Sequence, residues 1–174
     1  MAIYIETNRL RSGAFSLEDA EFMLQLLNSE GWLKYIGERN VKTHEQAETY
    51  LINGPLRKNE NTFPSLSRVV LKSENKPIGL VSLIKRDDLE NIDIGFAFLP
   101  EYMGRGYAFE MVSEIMQFAF REYKMEKIIA IVLPENLQSI RLLEKLGMKL
   151  ETEYLKKETD EVLHIYGLSK ESPV

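Results

Sequence analysis

The chain has 174 residues, 44% hydrophobic and 28% charged, with no cysteine and a net charge of −5. That length suits one compact domain over residues 1–174, with enough apolar material for a core that needs no disulfide or metal staple. The missing cysteines exclude a disulfide framework, a thiol nucleophile and a thiolate metal site. An acidic chain without a basic run also argues against nucleic acid as a partner, because that affinity rests on neutralised phosphates.

The N-terminus, Met1 to Glu6, lacks the basic stretch and apolar core of a signal peptide. The longest clean apolar run, Ile128 to Leu133, is far too short to cross a bilayer. The expectation is a cytoplasmic protein with no membrane partner.

In chain order, a first strand is expected over Ile3 to Ser12. Ser16 then caps a helix with acids in its first turn, and Phe22, Met23, Leu26 and Leu27 recur at helical spacing. Thr43-His44-Glu45-Gln46 is a capping box that opens a second helix, ending near Gly54-Pro55. Ser65 to Leu71 and Ile78 to Ile84 read as an antiparallel pair of strands joined by the turn Lys72 to Pro77. Asn91 to Phe98 alternates cleanly: Ile92, Ile94, Phe96 and Phe98 on one face, Asn91, Asp93, Gly95 and Ala97 on the other.

Pro100 ends that strand, and Arg105 to Tyr123 carries apolar residues at helical spacing. Lys127 to Leu133 reads as a buried strand. A short helix follows over Asn136 to Leu146, with Gly147 as its C-terminal glycine. Two closing strands, Lys149 to Lys156 and Glu161 to Leu168, turn at Glu158-Thr159-Asp160. Strand, two helices, a run of strands, then strand-helix-strand-helix and a hairpin is an α+β layout with a mixed sheet.

Gly104-Arg105-Gly106 lies between a strand and a helix start, where glycines permit a sharp turn and free N–H groups face an anion. Alone, the segment reads equally well as a plain strand-to-helix turn. A dinucleotide fingerprint needs a third glycine, and Phe109 stands there. The phosphate loop of nucleotide hydrolases needs Gly-Lys-Ser/Thr, which is absent.

Two motifs in order, with a third at the N-terminus, carry a resemblance over most of the chain. Glu101-Tyr102-Met103-Gly104-Arg105-Gly106 fits the loop Gln/Arg-x-x-Gly-x-Gly/Ala, and Gly106-Tyr107-Ala108-Phe109-Glu110 continues it. The second block is Asn136 to Met148, and Glu6-Thr7-Asn8-Arg9-Leu10 opens the chain. In these features the sequence resembles the GCN5-related N-acetyltransferase (GNAT) superfamily, especially its ribosomal-protein alanine N-acetyltransferase (RimJ/RimL-like) branch.

The resemblance implies a central mixed, mostly antiparallel twisted sheet of about seven strands with about four flanking helices. The sheet would splay between the strands at 91–98 and 127–133, and the pantetheine arm of acetyl-CoA would lie in the gap. Backbone groups of Phe96, Ala97 and Phe98 would bond the pantetheine amides and stabilise the oxyanion. Met103, Gly104, Arg105, Gly106, Tyr107 and Ala108 would supply amides to the pyrophosphate, and Asn136 would contact the cofactor near its pantetheine arm. The implied activity is acetyl transfer from acetyl-CoA to a primary amine, either a protein or peptide N-terminal α-amine or a small-molecule amine. It needs no metal and leaves room for a homodimer.

The tyrosine that many family members use as the general acid falls at Leu143 here; the resemblance implies Ser139 as the nearest substitute, since ribosomal-protein enzymes of this branch use a serine there, and the residue otherwise reads as capping or packing its helix. Asp93 and Glu101 are weaker candidates for a base, each equally readable as a solvated carboxylate. Deprotonating a lysine amine at neutral pH costs about 4–5 kcal/mol, an α-amine only about 1, so a weak base suits the α-amine. His44 and His164 lack metal-ligand spacing. The region Gly31 to Lys42, with Trp32 and Tyr35, overhangs the acceptor cleft in this family and otherwise reads as a helix connection. The competing function is a non-catalytic acyl-CoA-binding module or regulator that kept the loop and lost turnover.

Overall fold

The computed structural model describes residues 2–57, 65–156 and 159–170. Seven strands form one sheet in the order β1-β2-β3-β4-β5-β7-β6. They are β1 (Leu10–Gly13), β2 (Ser65–Leu71), β3 (Lys76–Lys85), β4 (Ile92–Phe98), β5 (Lys127–Val132), β6 (Lys149–Lys156) and β7 (Glu161–Ser169). Every neighbouring pair is antiparallel except β4 and β5, which are parallel. A parallel pair needs a crossover, and α4 (Tyr107–Glu122) supplies it. Its inward stripe of Met111, Val112, Ile115, Met116, Ala119 and Phe120 is buried. The other helices are α1 (Ala20–Leu27), α2 (Glu30–Tyr35), α3 (His44–Asn53) and α5 (Leu137–Lys145). Most of the buried apolar side chains form one cluster that joins the sheet to the helices, and Val70, Ile129 and Ile165 are buried outside it.

Local chemistry explains most boundaries. The Thr43–Gln46 capping box opens α3 as the sequence predicts. At the end of α5, Gly147 takes a φ of 86°. There Met148 N–H bonds Leu143 C=O and Gly147 N–H bonds Glu144 C=O, a Schellman stop. β3 starts earlier than expected, at Lys76, and includes Pro77. The proline is accommodated because the β2–β3 register shifts between Val69 and Val70 at that point.

Three expectations change. The first strand is not continuous from Ile3 to Ser12: Thr7 N–H bonds Leu10 C=O and Leu10 N–H bonds Thr7 Oγ1, which closes a turn. The arm before it folds back along β1, where Ser12 Oγ donates to Ile3 C=O and accepts from Ile5 N–H. The connection at 31–42 contains α2, a fifth helix, capped by Ser29 whose Oγ accepts from Trp32 N–H. Gly31 in its first turn masks it in a propensity reading. Finally, the long helix begins at Tyr107 instead of Arg105, because Gly104 and Gly106 are both left-handed. Of the expected closing turn, Thr159 and Asp160 are described, and Glu158 lies outside the described residues.

Candidate active site

The β4–β5 pair is short. Its register runs only over Ile92↔Ile128 and Asp93↔Ile129, after which the strands part. Parity of the ladders shows what the parting exposes. Leu99 N–H bonds Ile78 C=O, so the directly opposed pairs that exchange bonds between β3 and β4 include Ala97↔Leu80 and Gly95↔Ser82. The backbone groups of Phe96 and Phe98 therefore turn the other way, toward the open edge facing β5. The expected three-residue stretch divides: Phe96 and Phe98 present their N–H and C=O to the gap, whereas those of Ala97 are used against β3.

The vertex of the fork has a specific cause. Continuing the parallel ladder by one rung would take Ile131 N–H to Ile94 C=O. Instead, Ile131 N–H donates to Asp93 Oδ1 at 3.3 Å. The other Asp93 oxygen accepts from Arg86 Nε at 2.8 Å and lies 2.7 Å from Arg86 Nη2. Asp93 is 4% exposed. Burial pushes its carboxyl above the usual value, opposed by the Arg86 charge and hydrogen bonds. With both oxygens occupied, Asp93 is a structural wedge at the fork. Glu101, the other base candidate, is exposed in the 3-10 turn Pro100–Tyr102.

Beyond β4, that turn leads into the glycine segment. Gly104 has φ 72° and Gly106 φ 80°. No atom lies within 4 Å of a Cβ placed on Gly104, so the glycine is required by its backbone conformation and not by crowding. Met103 N–H is held within the turn by Pro100 C=O, so it is not free as expected. The N–H groups of Gly104 through Phe109, in contrast, meet no acceptor among the described residues; the first helical bond is Glu110 N–H to Gly106 C=O. Gly104 and Gly106, left-handed on either side of Arg105, leave these successive amides unused at the start of α4, where the helix dipole also favours an anion.

Cations pack on the aromatic rings of this segment despite the net negative chain. Arg9 lies 4.5 Å from the Tyr107 ring centre, Arg105 5.9 Å and Lys76 5.5 Å from that of Tyr102, and Lys145 4.5 Å from that of Phe109. Aromatic faces hold the basic side chains in place around the loop.

α5 begins immediately past the end of β5. Asn136 caps it, its Oδ1 accepting Ser139 N–H at 3.2 Å. Ser139 is half-buried in that first turn, and its hydroxyl has no hydrogen-bond partner among the described residues. Leu143, in contrast, is 1% exposed and belongs to the core. α2 lies beside the glycine segment: a Cβ on Gly31 would sit 3.9 Å from Met103 Cε. Trp32 is buried beneath, while Leu33 and Ile36 stay exposed. His44 lies 3.7 Å from Glu48 on the surface of α3, and His164 sits in β7 opposite Val132.

Sequence reasoning overlooked Arg86 as the partner of Asp93. It also found Arg9 and Glu110 only as motif letters, without their contact. Residues so far apart in the chain leave no periodic signal.

The fold agrees with comparisons to known proteins. A model of the acetyltransferase (GNAT) domain matches residues 9–149. An uncharacterized N-acetyltransferase, YnaD, of Bacillus subtilis (strain 168) is 32% identical over 149 residues, covering 86% of this chain and 84% of its own. The crystal structure of a GNAT-family acetyltransferase from Bacillus anthracis superposes with a TM-score of 0.81 at 27% identity, over 98% of this chain and 100% of that one. A ribosomal-protein-S5-alanine acetyltransferase from Vibrio fischeri shares the fold, with a TM-score of 0.78 at 20% identity over 98% and 100% of the two chains. A seven-stranded sheet that forks at a parallel β4–β5 pair is thus the fold of a family that moves acetyl groups from acetyl-CoA to amines, and this chain belongs to that family, the GNAT acetyltransferases.

Proposed function

We propose that this protein is a single-domain enzyme that acetylates an α-amine, either a protein or peptide N-terminus or a small molecule with a comparably low amine pKa. The observation that carries the reading is the continuity of donor groups: the open β4 edge at Phe96 and Phe98 leads directly to the unpaired amides of Gly104 through Phe109. An extended amide-bearing arm that ends in a pyrophosphate matches that sequence of donors. Acetyl-CoA supplies such an arm together with an activated thioester.

The remaining steps belong to the chain. Phe96 and Phe98 backbone groups hold the arm as an added strand, and an N–H at this edge stabilises charge developing on the transferred carbonyl oxygen. Gly104 to Ala108 bind the pyrophosphate. Asn136 holds the start of α5 and orients Ser139, whose hydroxyl donates a proton to the departing thiolate. No carboxylate in the fork is free to act as a strong base, since Asp93 is fully engaged. That favours an amine whose deprotonation costs about 1 kcal/mol at neutral pH over a lysine at about 4–5. The exposed Leu33 and Ile36 of α2, beside the loop, suit an acceptor with an apolar side chain next to its amine.

Calorimetry with acetyl-CoA and CoA, followed by thiol-release assays over peptide N-termini, lysine side chains, polyamines and amino acids, tests this. Binding of both and fastest turnover on α-amines is expected. Lysine side chains acetylated faster than N-termini would remove the α-amine assignment. One observation favours a second reading, a non-catalytic acyl-CoA-binding regulator: the family's tyrosine position is a core leucine here. Tight binding without turnover on any amine selects it.

A further inference from the structure

The turn before β1 carries a side chain that the steps above do not use. Arg9 Nε donates to Glu110 Oε2 at 2.7 Å, and its backbone N–H donates to Glu110 Oε1 at 2.9 Å. Thr7 Oγ1 donates to the same Oε1 at 2.6 Å. The turn is braced from behind, with Lys72 N–H on the Arg9 C=O at 2.9 Å. So anchored, the guanidinium extends past its ion pair, and Nη1 donates to the C=O of Arg105 at 3.0 Å. It also lies over the Tyr107 ring.

That last bond has a geometric consequence. The Arg105 C=O and the Gly106 N–H belong to one trans peptide plane and point in opposite directions. Pinning the carbonyl toward Arg9 turns the Gly106 N–H away from it, in a segment whose neighbouring amides are also without an acceptor among the described residues. Without the pin, two left-handed glycines flanking one residue leave that peptide free to rotate. A lysine could not substitute, because one ammonium on a flexible stem cannot hold Glu110 and the Arg105 carbonyl together in fixed planar geometry.

We infer that Arg9 is a positioning residue for the pyrophosphate: it acts through the Arg105–Gly106 peptide, aims the Gly106 amide at the anion, and makes the N-terminal turn part of the donor site. The inference rests on the acetyl-CoA reading. It differs from simple charge attraction, which Arg9→Lys would preserve, and from general bracing of the fold, which would affect any ligand equally.

The test titrates isotope-labelled wild-type, R9K and R9M proteins with CoA and, separately, with S-acetylpantetheine, which lacks the pyrophosphate. Amide shifts give both dissociation constants. In both variants CoA binding is expected to weaken about tenfold or more, a loss of about 1.4 kcal/mol, while S-acetylpantetheine binding stays within about twofold of wild type. The Gly106 amide, shifted by CoA in the wild type, should lose that response. Equal weakening for both ligands, or an R9K variant that binds CoA as the wild type does, overturns the inference. A wild-type protein that shows no shifts with CoA removes the acetyl-CoA reading and the Arg9 role with it.

Discussion

Ser139 and Leu143 lie one turn apart on α5 and have opposite surroundings. The leucine is sealed in the core with no polar function to offer, whereas the serine hydroxyl, half-buried in the first turn, has no partner among the described residues. A general acid is worth less when the leaving group is a thiol of pKa about 8.5 than when it is an alkoxide. Ser139→Ala should therefore lower kcat by about tenfold, short of the usual contribution of about 10²–10⁴, with KM for acetyl-CoA little changed. Steady-state kinetics on the preferred α-amine checks this; a kcat equal to wild type would assign the proton to water. The resemblance to the ribosomal-protein branch made Ser139 a candidate once Leu143 stood at the usual tyrosine position. It could not show that the hydroxyl lacks a competing partner, since that depends on what packs against α5.

At the scale of elements, the fork between β4 and β5 is held open by a side chain as well as by strand direction. Asp93 takes the Ile131 N–H that the next rung would use, and Arg86 fixes the carboxylate in place. Asp93→Leu removes the acceptor and allows the ladder to extend into the space required by the pantetheine arm. CoA binding should weaken about tenfold, and the Ile131 amide should gain hydrogen-exchange protection. Asp93→Asn retains an acceptor for that N–H and should weaken binding less. Calorimetry paired with amide exchange reads both, and unchanged protection in the leucine variant would show that strand twist alone opens the fork. The alternation of Asn91 to Phe98 located β4, which runs over Ile92–Phe98, but not its burial, since Asp93 on the expected polar face is buried. Which backbone edge lay open was invisible, because it depends on the β3 register and on where β5 departs.

For the whole molecule, the Glu110 contact ties the N-terminal turn to the start of α4, segments far apart in the chain. Burial alone would raise the Glu110 carboxyl, but hydrogen bonds from Thr7 and from the backbone and side chain of Arg9, with the Arg9 charge, hold it below its usual value. A carboxyl lowered in the folded state stabilises the fold above its unfolded pKa of about 4.3 and loses that contribution as pH falls through the folded value. Glu110→Gln should accordingly unfold at lower temperature than wild type at pH 7, and the two curves should converge below about pH 4. Calorimetric melting across pH 3–8 reads this; a constant offset through the acid range would show that the contact acts by packing and not by charge.

The sequence alone determined the elements whose cause is local. Capping residues, glycine stops and apolar periodicity placed α1, α3, α5 and most strands within a few residues, and two spaced motifs identified the family. Where a local signal was diluted, as by Gly31 in α2 or by the Thr7 turn inside an otherwise strand-like run, the reading failed. Tertiary structure decided the rest: which face of β4 is open, which amides of the glycine segment are unpaired, and that Arg9 meets Glu110 and the Arg105 carbonyl. The physical reason is common to all three. A local preference is encoded in a few adjacent side chains, but a hydrogen-bonding vacancy depends on every distant segment that could have filled it.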